Sequence, residues 1–207
     1  MPSATAPDLP IWNRFVRFIG EDGNEYCGEP VDSELDVGLA MEQNEPVMVK
    51  LLNGTSALDF DVIFTGRVVR AREILTPITP AEAGTIRCIG LNYTDHAAEM
   101  KLALPTNPEV FFKPSTCLNA PSSPIHLPAL AASSADLEVE LAVVLGADAK
   151  DVSATDAMHG PGTGVEARAA GSERVGVEDG DCCLSFGGYN AEEGDSHIDG
   201  DTLRDWT

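Results

Sequence analysis

Apolar and polar residues alternate along four short runs in the first third of the chain, as expected for half-buried β-strands. The runs lie at residues 14–19, 25–28, 46–52 and 60–69. Turn-forming segments at 21–24 and 53–56 separate the members of each pair, which favours antiparallel hairpins. We therefore expect residues 1–80 to form a small β-rich N-terminal domain that ends in a linker.

A second unit is predicted after the proline-containing stretch 77–84. It opens with an apolar run at 85–90, which is typical of a strand. A short helix is expected next, because Thr94 or Asp95 can cap its start and Pro105 must end it. Several strands with few short helices predict a mainly β protein of the α+β class.

His96 and Glu99 are three residues apart in this predicted helix, so they lie on one face and within reach of each other. A carboxylate beside an imidazole raises its basicity and fixes its tautomer, as a general base that activates water requires. The alternative is a solvated pair on a surface helix, and the spacing by itself favours that alternative.

Lys113 lies near the end of another predicted strand, residues 109–115, directly before Pro114. A lone lysine at a strand end is more often solvated than functional. It joins the candidate site, as a substrate-binding residue, only through the resemblance described below.

The run 137–145 places two carboxylates, Glu138 and Glu140, inside an apolar and β-branched stretch. Residues at positions i and i+2 of a strand lie on the same face, so these two would project together. Adjacent carboxylates repel each other and usually share a proton or bind a hard divalent cation. The alternative, equally supported by this stretch, is the solvent-facing side of an edge strand.

The 207 residues suffice for one domain with a substantial core or for two small ones. A formal net charge of -21 argues against a nucleic-acid surface, which needs clustered Lys and Arg. The first ten residues contain no basic or apolar region, so we expect no secretory signal. We also expect no membrane association, because no apolar run approaches the roughly 20 residues that cross a bilayer. The five cysteines form no CxxC pattern and indicate a reducing compartment. That compartment is expected to be the cytoplasm, with the mitochondrion as the alternative.

Three motifs in a fixed order resemble the fumarylacetoacetate hydrolase superfamily. They are Cys88-Ile89-Gly90-Leu91-Asn92-Tyr93-x-x-His96-x-x-Glu99, Phe111-x-Lys113-Pro114-Ser115 and Glu138-x-Glu140-Leu141-Ala142-Val143-Val144-Leu145-Gly146. The order and spacing of three separate motifs are far more specific than any one motif alone. The likeness covers residues 86–158 well, and residues 15–80 resemble the family's small N-terminal domain more weakly.

The resemblance implies a catalytic domain over residues 85–158, built as a mixed β-roll, with Mg²⁺ or Mn²⁺ at its mouth and a homodimeric assembly. The site residues that it implies are the metal ligands Glu138 and Glu140, the water-activating pair His96 and Glu99, and the substrate-binding Lys113. Family members act on small 2-oxo or 1,3-dicarbonyl acids, so we expect acylpyruvate hydrolysis or oxaloacetate decarboxylation. A hard cation chelated by such an acid polarises its carbonyl and accepts developing enolate charge.

The likeness stops after Met158. Family members continue with a Gly-Tyr-rich strand whose Asn-Asp pair supplies a third metal ligand, and later with a lysine that contacts substrate. Residues 159–207 instead contain eleven Asp or Glu, three Arg, ten Gly and no Lys. We expect this tail to be largely disordered and the β-roll to be incomplete, as if the reading frame or splicing changed near Met158. The alternative function is therefore an inactive family member that acts only through interactions or has no function.

Overall fold

A computed structural model of the chain describes residues 11–59, 61–127, 129, 135–144, 169–177 and 183–185. Within these residues the chain forms ten β-strands, three short α-helices and one 3-10 helix. The described chain is thus mainly β, which confirms the predicted class. The β-roll, its incompleteness and the domain boundaries stay predictions. None of the described helices is long and apolar enough to cross a membrane.

Strands β1 to β4 form a closed barrel. Their bounds are β1 Val16–Gly20, β2 Glu25–Pro30, β3 Met48–Leu52 and β4 Phe64–Leu75. Strand β2 pairs antiparallel with β1 and β3, and β4 closes the barrel by pairing antiparallel with β3 and β1. Both hairpins that the alternating pattern predicts, β1 with β2 and β3 with β4, are therefore confirmed.

The core of the barrel combines the inward residues of these strands with one face of helix α1, Val37–Glu42. Phe18 is fully buried at the centre, and its ring centroid lies 5.9 Å from that of Tyr26. Helix α1 contributes Val37 and Ala40, which are both buried. The aliphatic face of α1 and the closed sheet remove each other's apolar surface from water. Burial of this surface is the main source of stability in such a unit.

Strands β2 and β3 approach each other closely at Gly28, where a Cβ atom would lie 2.2 Å from the carbonyl oxygen of Lys50. The adjacent Glu29 is buried, accepts the N–H of Asn13 at 3.0 Å and lies 3.1 Å from Lys50 Nζ. Burial raises the pKa of Glu29, but the N–H donors of Asn13 and Arg14 and the Lys50 ammonium outweigh it, so the net pKa falls below 4.5. Glu29 thus fastens the segment before β1 to the barrel.

The stretch predicted as a linker contains a one-turn helix, α2, Pro80–Ala83. Its start is a capping box, in which Thr79 Oγ1 accepts the N–H of Glu82 at 3.2 Å and Glu82 accepts the N–H of Thr79 at 2.6 Å. The sequence carried this signal, because Thr-Pro-Ala-Glu has a capping Thr, a proline at the first helical position and a Glu three residues after the cap.

The segment after α2 holds two paired strands and the elements that connect and follow them. Its elements are β5 Thr85–Gly90, helix α3 Thr94–Glu99, β6 Glu109–Pro114, the 3-10 helix Ser115–Cys117 and β7 Leu118–Asn119. Strands β5 and β6 form a two-stranded antiparallel sheet. Both strands match the runs predicted from the sequence.

A four-stranded mixed sheet has the order β7, β10, β9, β8. Its long strands are β8, Ala135–Val143, and β9, Ala169–Val177, and the short β10 is Cys183–Ser185. Strand β9 pairs antiparallel with β8, and β10 pairs parallel with β7. The tail, predicted to be largely disordered, therefore contributes two strands, of which β9 pairs with β8 and satisfies backbone groups that β8 would otherwise leave unpaired. The rest of the tail lies outside the described residues.

Candidate active site

Helix α3 carries both members of the predicted water-activating pair. His96 lies in its middle and is half-buried, whereas Glu99 is its last residue and is exposed. Ala97 lies between them in the sequence and is buried, so its side of the helix packs against the protein. A histidine at the boundary between protein and solvent can exchange protons with water, and the helical spacing places Glu99 on the same face.

The start of α3 differs from the prediction. Its N-cap is Tyr93, which makes no side-chain capping bond, and both Thr94 and Asp95 lie inside the helix. The expected cap at Thr94 or Asp95 is therefore wrong, because the extended backbone of Tyr93 lets the helix begin earlier. Asp95 still lies in the first turn, where a negative charge interacts favourably with the helix dipole.

Lys113 is buried in β6, with only 3% of its surface exposed. Its Nζ lies 5.9 Å from the centroid of the Phe111 ring, and its register partner on β5 is Ile86. The expectation of a solvated side chain is wrong, because strand alternation places Lys113 on the same face as Phe111. The spacing of two residues between Phe111 and Lys113 is the sequence signal that could have predicted the burial of Lys113. Its contact with substrate stays a prediction.

Glu138 and Glu140 lie in β8, which confirms the strand predicted for them. The alternation of a strand places both positions on one face of the sheet. The register with β9 sets Glu138 opposite Arg174 and Glu140 opposite Ser172. Strand β9 therefore supplies no acidic residue at either of the two opposite positions.

The assignment of Glu138 and Glu140 as metal ligands stays a prediction. Among the residues that the structure describes, no group of three or more His, Cys, Asp or Glu is placed to hold a metal ion. The pair on α3 follows the β5 strand of one sheet, and the pair on β8 belongs to another sheet. The donor chemistry of Glu138 and Glu140 nevertheless fits Mg²⁺ or Mn²⁺, since both ions prefer carboxylate oxygens.

The barrel does not add a nucleophile to this set. Burial raises the pKa of the Cys27 thiol to about 12. A thiol with such a pKa stays protonated near neutral pH, and only the thiolate is a good nucleophile. We therefore assign no catalytic chemistry to Cys27, and the proton-transferring candidates are His96 and Glu99.

Comparison with known proteins links these residues to one family. The family model described as fumarylacetoacetate (FAA) hydrolase C-terminal matches residues 85–160. A caffeoylpyruvate hydrolase from Neonothopanus nambi is 36% identical over 159 residues, which are 74% of this chain and 55% of that protein. A mitochondrial oxaloacetate tautomerase from Rattus norvegicus is 40% identical over 84 residues, which are 41% of this chain and 26% of that protein.

The fold of the chain also resembles a solved structure. An uncharacterized protein from Mycobacterium abscessus matches with a TM-score of 0.58 and 25% identity, over 88% of this chain and 68% of that one. The alignments with the two curated relatives span about half and about a quarter of those proteins. All five candidate residues on α3, β6 and β8 lie inside the matched segment 85–160.

Proposed function

The chain belongs to the fumarylacetoacetate hydrolase superfamily, and from that premise we propose that it hydrolyses a carbon–carbon bond in a small 2-oxo or 1,3-dicarbonyl acid. One observation supports the proposal most strongly: His96, Glu99, Lys113, Glu138 and Glu140 all fall within the single segment that the family model matches. The resemblance of the three motifs assigns each of these residues a chemical role that its residue type can perform.

In this proposal His96 is the general base and Glu99 holds its imidazole in the reactive tautomer. The imidazole takes a proton from water, and the resulting hydroxide adds to the acyl carbonyl carbon of an acylpyruvate. The bond between that carbon and the pyruvate methylene breaks, and its electron pair stays on pyruvate as an enolate. Protonation of the enolate by the imidazolium gives pyruvate and a carboxylic acid, so the base returns to its starting state.

Glu138 and Glu140 are the residues that would hold Mg²⁺ or Mn²⁺, since they offer hard oxygen donors from one face of β8. When bound, such an ion supplies a Lewis acid for the oxygen that carries the developing enolate charge. Lys113 is proposed to orient the substrate carboxylate, because a buried ammonium group attracts an anion more strongly than a solvated one.

Two relatives suggest the substrate class. One is named as a hydrolase of caffeoylpyruvate and another as a tautomerase of oxaloacetate. Both named substrates are 2-oxo acids that react through an enol, so we propose an acylpyruvate as the substrate and oxaloacetate as the second compound to test. We extend the proposal to a homodimer in the cytoplasm or the mitochondrion, as the resemblance implies.

The pair on α3 gives the first test. The purified chain with Mg²⁺ is expected to cleave acetylpyruvate, and His96→Ala should lower kcat by about 100-fold or more, as the loss of a general base does. Glu99→Ala should lower it less, because the imidazole remains. Asp95→Asn on the same helix is the matched control, since it removes a charge from an exposed residue outside the proposed site.

The outcomes separate the proposal from the inactive alternative. Equal rates in the wild type and His96→Ala would show that this histidine is not the base. A chain that elutes as a folded species but turns over neither acetylpyruvate nor oxaloacetate would favour the inactive family member. Val110 and Phe112 are exposed apolar residues, which favour self-association. Each activity assay should therefore be accompanied by size-exclusion chromatography, which detects such association.

A further inference from the structure

Three non-glycine residues of the described chain have a left-handed backbone. They are Asn44, Leu91 and Lys101, with φ angles of 57°, 51° and 56°. In this region the Cβ atom comes too close to the following carbonyl oxygen, which costs free energy for every residue that has one. Asparagine tolerates the conformation better than most residues, whereas a bulky residue such as leucine is an outlier there. Such outliers persist only where the surrounding structure enforces them.

Asn44 and Lys101 are left-handed because each follows the end of a helix. The N–H of Lys101 donates to the carbonyl oxygen of Ala98 at 3.0 Å, and the N–H of Leu102 donates to that of Ala97 at 2.9 Å. This pair of bonds is the Schellman motif, which places a left-handed residue directly after the C-cap. Asn44 holds the same position after α1. The third left-handed residue precedes a helix, so this motif does not explain it.

That third residue, Leu91, forms the corner between β5 and α3. Gly90, the last residue of β5, pairs in register with Glu109, which fixes the end of the strand. Tyr93 is extended, with φ −104° and ψ 120°, and the helix begins at Thr94. The chain therefore turns from the strand into the helix within three residues, of which only Leu91 is left-handed.

Helix α3 contributes little to its own placement. It has six residues, fewer than an isolated helix needs to be stable in water. Ala97 is the one buried residue among these six, all of which the structure describes. The direction of the helix is therefore set largely at its ends, by the corner at Leu91 and by the Schellman motif at Lys101. Because His96 lies in the middle of α3, a change at the corner would move its imidazole.

We infer that Leu91 is a positioning residue, whose left-handed backbone directs α3 and so holds the imidazole of His96 in its catalytic orientation. The inference rests on the proposed function for the role of His96, but the placement of the helix can be measured without turnover. It requires that the backbone conformation at position 91 matters more than the apolar side chain. Asparagine and glycine adopt this conformation readily, whereas the β-branched isoleucine does not.

The test compares Leu91→Asn and Leu91→Gly with Leu91→Ile in the full chain. Hydrogen exchange of peptides that cover residues 93–102 measures the order of α3. Modification by diethyl pyrocarbonate, followed by mass spectrometry, measures the access of reagent to His96. Leu91→Ile should speed both by about fivefold or more, whereas the other two variants should stay within about twofold of the wild type. The exposed His126 is the internal control for the modification, and its rate should not change.

A role of Leu91 in packing predicts the opposite order. Isoleucine keeps the volume and apolarity of leucine, so it would resemble the wild type, whereas asparagine and glycine would speed exchange and modification. That order, or equal rates in all variants, would overturn the inference. If Leu91→Ile also lost protection throughout β1 to β4, Leu91→Gly decides. Protection at 93–102 that is equal to or greater than that of the wild type then supports the corner, and weaker protection overturns it.

Kinetics distinguish a failure of this inference from a failure of the proposed function. If the wild type cleaves acetylpyruvate, Leu91→Ile should lower kcat by about tenfold or more and change KM by less than about twofold, because a misplaced base slows the chemical step. A raised KM with unchanged kcat would overturn the positioning role. If the wild type is inactive, the proposed function fails, and the exchange and modification rates decide whether Leu91 places α3.

Discussion

The barrel of β1 to β4 and the segment from β5 to β7 are both built from short strands, but only the barrel closes around an apolar core. Of the thirteen buried apolar residues in the described chain, Ala97 alone lies beyond residue 80. In the β5 and β6 sheet, by contrast, Val110 and Phe112 are 52% and 63% exposed. A two-stranded sheet without a covered apolar face is marginal in water.

The elements that stabilise the molecule therefore differ from those that carry the candidate catalytic residues. The barrel and helix α1 share one buried core. The segment matched by the family model carries His96, Glu99 and Lys113, yet it relies on contacts with neighbouring elements. Substitutions should therefore act on stability mainly in the barrel and on chemistry mainly in the segment.

The largest expected effect on stability is the loss of the buried Phe18, compared with the loss of the exposed Phe112. Phe18→Ala should lower the free energy of unfolding by about 3–5 kcal/mol, because Phe18 is fully buried. Phe112→Ala should change it by less than about 0.5 kcal/mol, since that ring faces solvent. Urea unfolding followed by circular dichroism measures both. Similar losses for the two variants would contradict the division between the barrel and the segment.

An intermediate effect is expected at Glu29. Glu29→Ala would leave the Lys50 ammonium and the N–H of Asn13 without their acceptor and should cost about 1–3 kcal/mol of unfolding free energy. The pKa of Glu29 is lowered in the folded state, so its contribution is present above pH 4.5 and is lost as the pH falls through the folded pKa. In a series of unfolding measurements from pH 7 into acid, the difference between wild type and variant should shrink as the pH falls through the folded pKa of Glu29. A difference that stays constant throughout would refute this assignment.

The smallest effect compares the two helix starts. Asp36 accepts the N–H of Leu39 at 2.9 Å as the cap of α1, so Asp36→Ala should cost about 1 kcal/mol. Asp95 makes no capping bond in α3, so Asp95→Ala should cost only about 0.3–1 kcal/mol through the helix dipole. Thermal unfolding of the two variants in parallel is sufficient. A larger loss at Asp95 than at Asp36 would mean that α3 is capped differently.

The sequence predicted those features that depend on local pattern. The hairpins of the barrel, β5, β6 and the carboxylate strand β8 all follow from alternation. Two further features also have local signals: the capping box that starts at Thr79, and the strand phase that buries Lys113. Both signals were present in the residues.

The remaining features depend on residues far apart in the sequence, so local patterns could not predict them. Pairing of β9 with β8 joins residues 26 to 42 positions apart in the sequence, and its register sets Arg174 opposite Glu138. Alternation within one strand says nothing about which strand lies beside it. Non-local pairing therefore decides the surroundings of the proposed metal ligands.

The most direct test of the proposed function is the initial rate of acetylpyruvate cleavage as Mg²⁺ is titrated, in the wild type and in Glu138→Ala. We predict a rate that rises with Mg²⁺ and saturates in the wild type, and no stimulation in the variant at any concentration. Glu173→Ala is the control, because Glu173 pairs with Val139, and strand alternation places that pair on the opposite face of the sheet from the two carboxylate positions. Cleavage that is independent of Mg²⁺, or equal stimulation of wild type and Glu138→Ala, would contradict the account.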